Sequence, residues 1–559
     1  MEFYSDTILT GEDSPFYRAL FKSMGYTDHE LAQRPIVGIA NTWNTLVPGH
    51  FSGNQIAEFA KKGVYSAGGT VVEFGTIACC DGVAQGHDGM HSILPSREII
   101  CDSVETMVRA HCIDALIMIA SCDKIVPAML MAAARLDIPA IVCGCGPMIS
   151  GIEFDGRMAD LTSVAAAKGM VAAGKLSENE YHSLENTACI GCGSCGFLGT
   201  ANSMGCVAEA LGMAMPGSAL IPAVYAERLR SSFEAGRAVC GLARKGITAR
   251  KIITEQSIRN AIRVTMAIAG STNAVLHLSA IANEAELDMN VMDAFAELNQ
   301  TTPQIAKVNP AAKWDMEAFY HAGGIPRVMD RLGDMIDRDQ LSCAGCTIGE
   351  ALDAYRYDFP ENPEIIKTVD DPFSKTGGIA VLRGNLAPDT GISKPGAFDA
   401  KLHRFTGKAI CFDSEEEADA AILAGKIKPG SVVVIRYEGP KGGPGMREMF
   451  KANKYLYGVG LAESTAIVTD GRFSGTNNGC FVGHVSPEAA EGGPIAIVHD
   501  GDEITIDVID GILTLHVSDE EIAARLAEWK RPEKPIPRGY LRMYAKHASS
   551  ADKGAVMQY

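Results

Sequence analysis

The sequence predicts an α/β protein with two domains: an N-terminal domain built on a parallel β-sheet with helices on both faces, and a smaller C-terminal domain rich in β-strands. Three observations support this prediction. Strand-like and helix-like segments alternate in the first part of the chain, short strands separated by turn residues follow Gly377, and 559 residues are enough for two or three domains. We place the domain boundary between residues 384 and 385, giving domains 1–384 and 385–559.

The alternation begins near residue 34. The strand-like segments are 34–43, 69–78, 114–122 and 138–144, and the helix-like segments are 53–67, 96–112 and 124–136. Ser96 is predicted to be the N-cap of the second of these helices, and residues 200–300 are expected to be helical. Repeated strand–helix units form parallel sheets, which bind ligands in the loops beyond the carboxyl ends of their strands. Those loops are therefore the first place to look for function.

The C-terminal domain is predicted from short strand-like segments bounded by Gly, Pro and Asp. These segments are 408–414, 431–439, 464–471, 494–501 and 502–517. A barrel is one arrangement for such a set of strands. Residues 546–559 are expected to form an irregular end with little chemistry of their own.

The composition excludes several classes of protein. Hydrophobic residues make up 47% and charged residues 21% of the chain, which is ordinary for a globular protein. The net charge of −18 disfavours nucleic acid as a partner, because the phosphate backbone would be repelled. No apolar segment is long enough to span a bilayer and the N-terminus lacks a signal-peptide pattern, so we expect a cytoplasmic protein without a membrane partner.

The 16 cysteines are the most informative feature of the composition. The run Cys189-Ile-Gly-Cys192-Gly-Ser-Cys195 lies in a glycine-rich stretch, and Cys122 follows a predicted strand. Several thiolates in a glycine-rich loop suit an iron–sulfur cluster, because backbone amides can approach the sulfides. Zinc is an alternative, although it usually takes paired C-x2-C knuckles. Any single cysteine here could also be a small buried apolar residue.

Three acidic residues and one serine stand in turns after predicted strands. The carboxylates are those of Asp81, Asp123 and Glu448, and if they converge they could hold a hard divalent ion such as Mg²⁺. Ser474 follows the strand 464–471 in a glycine-flanked turn, where a hydroxyl could act as a base or a nucleophile. Each of these residues, taken alone, is also typical of an ordinary solvated turn.

Specific motifs along nearly the whole chain make the sequence resemble the family of dihydroxy-acid dehydratases and sugar-acid dehydratases. They are Cys122-Asp-Lys-Ile-Val-Pro127, Ala188-Cys-Ile-Gly-Cys-Gly-Ser-Cys195, Thr200-Ala-Asn-Ser-Met204, Gly270-Ser-Thr-Asn273, His321-Ala-Gly-Gly-Ile-Pro326, Gly384-Asn-Leu-Ala-Pro388, RYEGPKGGPGMREM at 436–449, Thr469-Asp-Gly-Arg-Phe-Ser-Gly475 and Gly483-His-Val-Ser-Pro-Glu-Ala489.

The resemblance implies an N-terminal α/β domain and a smaller C-terminal β-barrel domain, with the active site between them. It implies that Cys122 and Cys195 bind an iron–sulfur cluster, and that Ser474 is the catalytic base. The Mg²⁺ site would be formed by residues that match the family's ligands, namely Asp81, Asp123, Lys124 and Glu448. In some relatives the lysine matching Lys124 is carbamylated, which makes it a carboxylate ligand. Arg472 and Thr476 are expected to help position the substrate.

One departure from the family pattern concerns the cluster. In the branch with a 2Fe-2S cluster a cysteine follows the proline of the segment matching Val47-Pro48-Gly49-His50, whereas this chain has Gly49 there. The resemblance therefore favours a 4Fe-4S cluster over 2Fe-2S. Cys192 is the first choice for the third ligand, and Cys80 is the competitor.

The activity implied is that of a hydro-lyase, which removes water from a 2,3-dihydroxy carboxylate and gives a 2-oxo acid. The first expectation is a dihydroxy-acid dehydratase of branched-chain amino-acid biosynthesis, acting as a homodimer or homotetramer on a small-molecule substrate. The alternatives are a sugar-acid (aldonate) dehydratase and, from another class, a noncatalytic iron–sulfur sensor on the same scaffold. A sensor has no need for the three carboxylates together with Ser474.

Overall fold

The N-terminal region is organised around a four-stranded parallel sheet. The computed structural model describes residues 3–172, 174–474 and 479–558. The sheet has the strand order β2–β1–β3–β4, and its strands are β1 (Ile36–Asn41), β2 (Thr70–Gly75), β3 (Ala115–Ala120) and β4 (Ala140–Gly144). A two-stranded ribbon follows, formed by β5 (Glu153–Phe154) and β6 (Arg157–Met158). Three of the four central strands are apolar along nearly their whole length, as expected where both faces are covered.

Helices surround this sheet and continue beyond it. Up to the ribbon they are α1 (Asp6–Leu9), α2 (Ser14–Ser23), α3 (Asp28–Ala32), α4 (Gly53–Ser66), α5 (Asp81–Ala84), α6 (Ile93–Ala110) and α7 (Ile125–Leu136). After it they are α8 (Leu161–Ala172), α9 (Glu178–Thr187), α10 (Thr200–Ala210), α11 (Ala226–Lys245), α12 (Ala249–Ile252), α13 (Glu255–Ala267), α14 (Asn273–Glu284), α15 (Val291–Thr301), α16 (Met316–His321), α17 (Gly324–Leu332) and α18 (Ile348–Ala354).

The order of the strands creates a switch point in the sheet. The chain passes from β1 to its neighbour β2, and then crosses to β3 on the other side of β1. Because such crossovers are right-handed, α4 covers one face of the sheet, whereas α6 and α7 cover the other. Helix α11 packs on α4 and on β3 and β4. Loops at the carboxyl ends of β1, β2 and β3 therefore open into a common crevice, where α/β proteins bind ligands.

The C-terminal region forms a closed eight-stranded barrel, which agrees with the fold predicted. Its order is β10–β11–β12–β8–β7–β14–β13–β9. The strands are β7 (Ala380–Gly384), β8 (Ala387–Ser393), β9 (Arg404–Phe412), β10 (Ser431–Ile435), β11 (Ala466–Thr469), β12 (Cys480–Ser486), β13 (Glu503–Asp507) and β14 (Ile512–Leu515). The helices are α19 (Glu415–Leu423), α20 (Phe450–Gly458), α21 (Asp519–Glu528) and α22 (Tyr540–His547).

Strand β10 shows how the barrel is packed. Val432 and Val434 belong to the apolar cluster inside the barrel, whereas Val433 and Ile435 pack against α19 and α20 outside it. Both faces of the strand are buried, so its sequence is continuously apolar instead of alternating. The helix α20, which carries residues of the candidate site, is thereby fixed to the barrel wall.

Three details differ from the sequence predictions. Helix α6 begins at Ile93, not after Ser96, and the Ser96 hydroxyl donates to the Ile93 carbonyl from within the helix. Residues 494–497 form a 3₁₀ turn where a strand was expected. The first barrel strand begins at Ala380, so a boundary between residues 384 and 385 falls at the end of a strand that belongs to the barrel.

The C-terminal segment, residues 548–558, returns from the barrel to the N-terminal region. The Arg97 guanidinium donates to the carbonyls of Gly554 (2.8 Å) and Ala555 (3.1 Å), and the Met557 amide donates to the Glu98 carboxylate. Arg97 and Glu98 are themselves a buried ion pair at 2.7 Å. The segment is irregular, as predicted, but it is largely buried and connects the two regions, which was not predicted.

Two negative findings complete the description. All sixteen cysteines are free thiols. Among residues 3–172, 174–474 and 479–558, none of the helices combines the length and the hydrophobicity that crossing a lipid bilayer requires.

The crossing of α4 and α11 depends on glycine, which gives a stability prediction. A Cβ at Gly236 would lie 2.1 Å from the Ala60 carbonyl oxygen, whereas a Cβ at Gly241 on the same helix would meet no atom within 4 Å. We expect Gly236→Ala to lower the stability by about 1–3 kcal/mol, because the helices must move apart. Gly241→Ala should raise it by about 0.5–1 kcal/mol through helix propensity. Thermal unfolding followed by circular dichroism measures both, and equal effects of the two variants would contradict the packing described.

Candidate active site

The loops after β2 and β3 bring the first group of candidate residues together. Asp81 begins the short helix α5 just beyond β2. Cys122 and Asp123 follow β3, and Lys124 is the N-cap residue of α7. Cys122 has φ = 64°, a left-handed conformation that is unusual for a residue other than glycine and that often marks functional sites.

The barrel supplies the third carboxylate. Glu448 lies two residues before the first residue of α20 and pairs with Arg472 in an isolated β-bridge. Its carboxylate is close to those of Asp81 and Asp123, and one oxygen from each of the three groups can be chosen so that all lie within 4.8 Å of one another. The structure therefore brings together the three acidic residues proposed as Mg²⁺ ligands, although they are separated by up to 367 positions in the sequence.

Two buried cations hold these carboxylates. The Lys124 ammonium lies 2.9 Å from Asp81 and 3.6 Å from Asp123. The Arg472 guanidinium lies 2.7 Å from Glu448 and 3.2 Å from Asp81, and its Nε donates to the Met446 carbonyl. Lys124 is not carbamylated in the structure, and its ammonium pairs with the acidic residues. Arg472 is fully buried, and its guanidinium is bound by the carboxylates and by the Met446 carbonyl.

The three carboxylates outnumber the two cations, Lys124 and Arg472, that lie beside them. Burial and the neighbouring Asp81 carboxylate raise the pKa of Asp123 to about 7. The buried Oδ1 of Asp81 has no hydrogen-bond partner among the described residues. Three clustered carboxylates, one with an unpaired oxygen, are the donor set that a hard divalent cation prefers. The residues present therefore fit Mg²⁺.

The candidate cluster ligands fall into two groups. Cys80, Cys122 and Cys195 line one cavity together with the three carboxylates. Burial raises the pKa of the Cys122 thiol well above its usual value, and the nearby Cys80 and Cys195 raise it further. Three thiols that would repel one another as anions are a suitable set for an iron–sulfur cluster, whose irons supply the positive charge.

Cys192 lies outside this set. It is not among the described residues that line the cavity. At Gly49, a Cβ would lie 2.5 Å from the Cys122 sulfur. The position at which other family members carry a cysteine is thus immediately beside a candidate cluster ligand.

Ser474 lines the same cavity, which encloses about 250 Å³. The backbone just before it is fixed, because the Thr272 hydroxyl donates to the Phe473 carbonyl at 2.5 Å and the Phe473 ring packs on Phe481. Thr476 lies outside the described residues.

Two further residues, to which sequence reasoning assigned no role, contact Glu448. The Asn273 amide lies 3.4 Å from one oxygen of Glu448, and the Gln85 amide lies 3.3 Å from the other. Asn273 also donates to the Thr200 hydroxyl. The signal for Asn273 is its place in the GSTN segment, as the polar first residue of the apolar helix α14. Gln85 carried no such signal.

Comparison with known proteins identifies the family. Residues 34–351 match the family model described as dihydroxy-acid/6-phosphogluconate dehydratase N-terminal, and residues 364–555 match the model for the C-terminal part. The chain belongs to this family. It is 48% identical over 556 residues to the dihydroxy-acid dehydratase of Caldanaerobacter subterraneus subsp. tengcongensis, with 99% of each chain covered.

Two further relatives have the same name and similar coverage. The dihydroxy-acid dehydratase of Acetivibrio thermocellus is 48% identical over 556 residues, with 99% of each chain covered. That of Pyrococcus furiosus is 49% identical over 557 residues, covering 99% of this chain and all of the relative. The resemblance inferred from the motifs is therefore confirmed.

The role of Arg472 can be tested by measuring the stability of an Arg472→Met variant. In Arg472→Met the Glu448 carboxylate loses its buried cation, and Asp81 keeps only Lys124. We therefore expect the free energy of unfolding to fall by about 3–5 kcal/mol in the presence of a chelator. Added Mg²⁺ should restore part of the melting temperature, because the cation replaces the missing charge. Arg447→Met is the control, since Arg447 pairs with Glu415 and Glu416 outside the carboxylate group. Equal recovery of both variants with Mg²⁺ would contradict this assignment.

Proposed function

We propose that this protein is a hydro-lyase that removes water from a 2,3-dihydroxy carboxylate and gives a 2-oxo acid. The observation that carries the proposal is the convergence of three kinds of group in one cavity: the carboxylates of Asp81, Asp123 and Glu448, three cysteine thiols, and the Ser474 hydroxyl. Membership of the dihydroxy-acid/6-phosphogluconate dehydratase family supports it, as do full-length relatives named dihydroxy-acid dehydratase.

Asp81, Asp123 and Glu448 would hold the Mg²⁺ ion. Together with Lys124 and Arg472 they carry one more negative than positive charge when ionised, so a divalent cation is attracted to the group. Carbamylation of Lys124 would convert its ammonium into a further oxygen ligand and would strengthen this attraction.

Cys80, Cys122 and Cys195 would hold the iron–sulfur cluster. Their common position on the cavity supports Cys80 over Cys192 as the third ligand. Three protein thiolates satisfy three irons of a 4Fe-4S cluster and leave the fourth with an open coordination position, so we favour this cluster type over 2Fe-2S. When bound, Mg²⁺ would stabilise the negative charge that develops at the carboxylate and the 2-hydroxyl, and the open iron would act as a Lewis acid towards the leaving hydroxide.

Ser474 would remove the proton from C2. This proton is weakly acidic because the neighbouring carboxylate is already negative, so the base must be held close and in the right direction. The bond from Thr272 to the Phe473 carbonyl and the packing of Phe473 fix the backbone that presents the hydroxyl. A serine acts as a base only as the alkoxide, and the metal cations of the loaded site would favour that charged form.

The cavity walls support a substrate with an alkyl substituent. The apolar side chains that line the cavity are those of Leu161, Val164 and Ala165 of α8, of Phe197, and of Phe450 of α20. Apolar side chains of this kind bind methyl groups and offer no hydrogen bond to a sugar hydroxyl. Dihydroxyisovalerate is therefore the first substrate to test, which would place the reaction in branched-chain amino-acid biosynthesis.

The function is tested by assaying anaerobically purified protein, loaded with iron, sulfide and Mg²⁺, on dihydroxyisovalerate and on a panel of aldonates. We expect a 2-oxo acid from dihydroxyisovalerate. A protein with a full cluster and bound Mg²⁺ that converts none of these acids would contradict the proposal and favour a sensor.

The role of Ser474 is tested by Ser474→Ala. Because the variant keeps every proposed metal and cluster ligand, iron, sulfide and Mg²⁺ contents should stay at the wild-type level, whereas kcat should fall by about 100-fold or more. Metal analysis and a steady-state assay on the same preparation measure both. Turnover near the wild-type rate would remove Ser474 from the role of base.

The third cluster ligand is tested by comparing Cys80→Ser with Cys192→Ser. We expect Cys80→Ser to lose most of the iron and the visible absorption of the cluster, because a serine oxygen is a poor ligand for it. Cys192→Ser should keep both, since Cys192 is not among the residues that line the cavity. The reverse pattern would assign the ligand to Cys192.

A further inference from the structure

The cavity is lined by a polar side chain to which the proposed function assigns no role, that of Gln85. Gln85 follows the short helix α5 directly, one helical turn after Asp81, the first residue of that helix. Both side chains line the cavity, together with Asp123 and Glu448. An uncharged amide therefore stands beside the three carboxylates proposed to bind Mg²⁺.

Gln85 contacts Glu448 on the side that Arg472 does not occupy. The Arg472 guanidinium lies 2.7 Å from Oε2 of Glu448, and the Asn273 amide lies 3.4 Å from the same oxygen. Oε1 of Glu448 has Gln85 as its only hydrogen-bond donor among the described residues, at 3.3 Å. The oxygen of Glu448 that has the weaker partner thus faces Gln85.

Two oxygens at this side of the carboxylate group are buried without a hydrogen-bond partner among the described residues. They are Oδ1 of Asp81 and Oε1 of Gln85. A buried acceptor in this condition is unfavourable, because it has lost its hydration and has gained no bond. Oδ1 of Asn273 is also unpaired, but Asn273 is fully buried and is not among the described residues that line the cavity. Of the two amides beside Glu448, Gln85 is therefore the one that an ion in the cavity could reach.

A half-turn of the Gln85 amide would bring its oxygen to Glu448. The terminal torsion of a glutamine has two broad minima, so its nitrogen and oxygen can exchange places. The amide oxygen would then lie about 3.3 Å from Oε1 of Glu448, where the nitrogen lies in the structure. Two oxygens that are each about 2.1 Å from one Mg²⁺ ion are at most about 4.2 Å apart. Gln85 and Glu448 can therefore share a cation, which would also remove the repulsion between their oxygens.

The backbone at Gln85 is held from the side of the barrel. The Lys451 ammonium donates to the carbonyl of Gly86 at 2.9 Å, and the backbone amide of Gln85 donates to the Gly82 carbonyl. Lys451 belongs to α20, which begins two residues after Glu448. The same helix therefore fixes the distance between Gln85 and Glu448, although the two residues come from different regions of the fold.

We propose that the side-chain oxygen of Gln85 is a fourth protein ligand of the Mg²⁺ ion, beside the carboxylates of Asp81, Asp123 and Glu448. An octahedral Mg²⁺ site has six positions. One oxygen from each carboxylate fills three, and a substrate that chelates through its carboxylate and 2-hydroxyl fills two. The Lys124 ammonium pairs with Asp81 and has no lone pair with which to fill the last one. An amide oxygen suits Mg²⁺ and adds no negative charge to the group. This inference rests on the proposed function, from which it takes the Mg²⁺ site.

The first test is calorimetric titration of Mg²⁺ into anaerobically purified protein that is loaded with iron and sulfide and freed of Mg²⁺ with a chelator. In Gln85→Met an apolar side chain of similar length replaces the amide. We expect the Kd for Mg²⁺ to rise by about 10-fold or more, because the loss of even an outer partner of a metal site costs about 10–100-fold in affinity.

Val83→Met is the matched control. It introduces the same side chain on the same short helix, but Val83 is 67% exposed and is not among the described residues that line the cavity. We expect it to keep the wild-type Kd. Iron content and the melting temperature in chelator show whether each variant keeps its cluster and its fold.

Electron–nuclear double resonance separates a ligand from a residue that only orients Glu448. The wild-type protein is labelled with ¹³C at the δ carbon of glutamine and loaded with Mn²⁺ in place of Mg²⁺. A bound amide oxygen places the labelled carbon two bonds from the Mn²⁺, so we expect a ¹³C hyperfine coupling that Gln85→Met abolishes and Val83→Met keeps. Gln85 is the only glutamine among the described residues that line the cavity. The wild-type spectrum tests the inference even if a variant does not fold.

The outcomes separate this inference from the proposed function. Turnover of dihydroxyisovalerate by a protein without the ¹³C coupling, or with a Kd that Gln85→Met leaves unchanged, would overturn the role of Gln85 and leave the proposed function standing. A coupling and a Kd that depend on Gln85, in a protein that converts no dihydroxy acid, would support the ligand and overturn the proposed function. Added bicarbonate that gives Gln85→Met the wild-type Kd would assign the position to a carbamate on Lys124 and overturn the inference.

Discussion

The site depends on the buried ion pairs that Arg472 makes with Glu448 and Asp81. Carboxylates removed from water are unstable together unless cations lie among them. Arg472 belongs to the barrel region and Asp81 to the N-terminal region, so this single guanidinium both compensates the charge and joins the two halves of the cavity. Lys124 contributes from the opposite side.

The surrounding structure fixes the position of this guanidinium. Its Nε donates to the carbonyl of Met446, and Met446 packs against Leu94, Leu276 and the C-terminal residues Ala551 and Ala555. The C-terminal segment is in turn bound by Arg97 and Glu98 of α6. The C-terminal segment, for which the sequence indicates little chemistry, therefore helps to hold the carboxylate group in position.

The elements best predicted from sequence were those whose patterns follow from burial. Strands β1, β3 and β4 are short apolar runs between helices, which is what a sheet covered on both faces requires. Strand β12, in contrast, begins with Cys480 and contains Gly483 and His484, so its sequence lacks a clear strand pattern although every residue is buried. Its place in the barrel is decided by pairing with β8 and β11, which a single sequence does not reveal.

The residues of the candidate site also differ in how far the sequence predicts them. Asp81, Asp123 and Cys122 were identified because they follow strands of one parallel sheet, whose carboxyl ends must lie at one edge. The choice between Cys80 and Cys192 could not be made in this way, since both are near other cysteines in the sequence and only the folded loops show which of them lines the cavity.

In the proposed reaction the cavity removes a proton from C2 and hydroxide from C3 of a dihydroxy acid, and the resulting enol takes up a solvent proton at C3. The most direct measurement is the conversion of dihydroxyisovalerate in D₂O by the loaded enzyme, with the product analysed by NMR. We expect a 2-oxo acid that carries one deuterium at C3. A product that retains the original C2 hydrogen at C3 would contradict it, as would the absence of any 2-oxo acid.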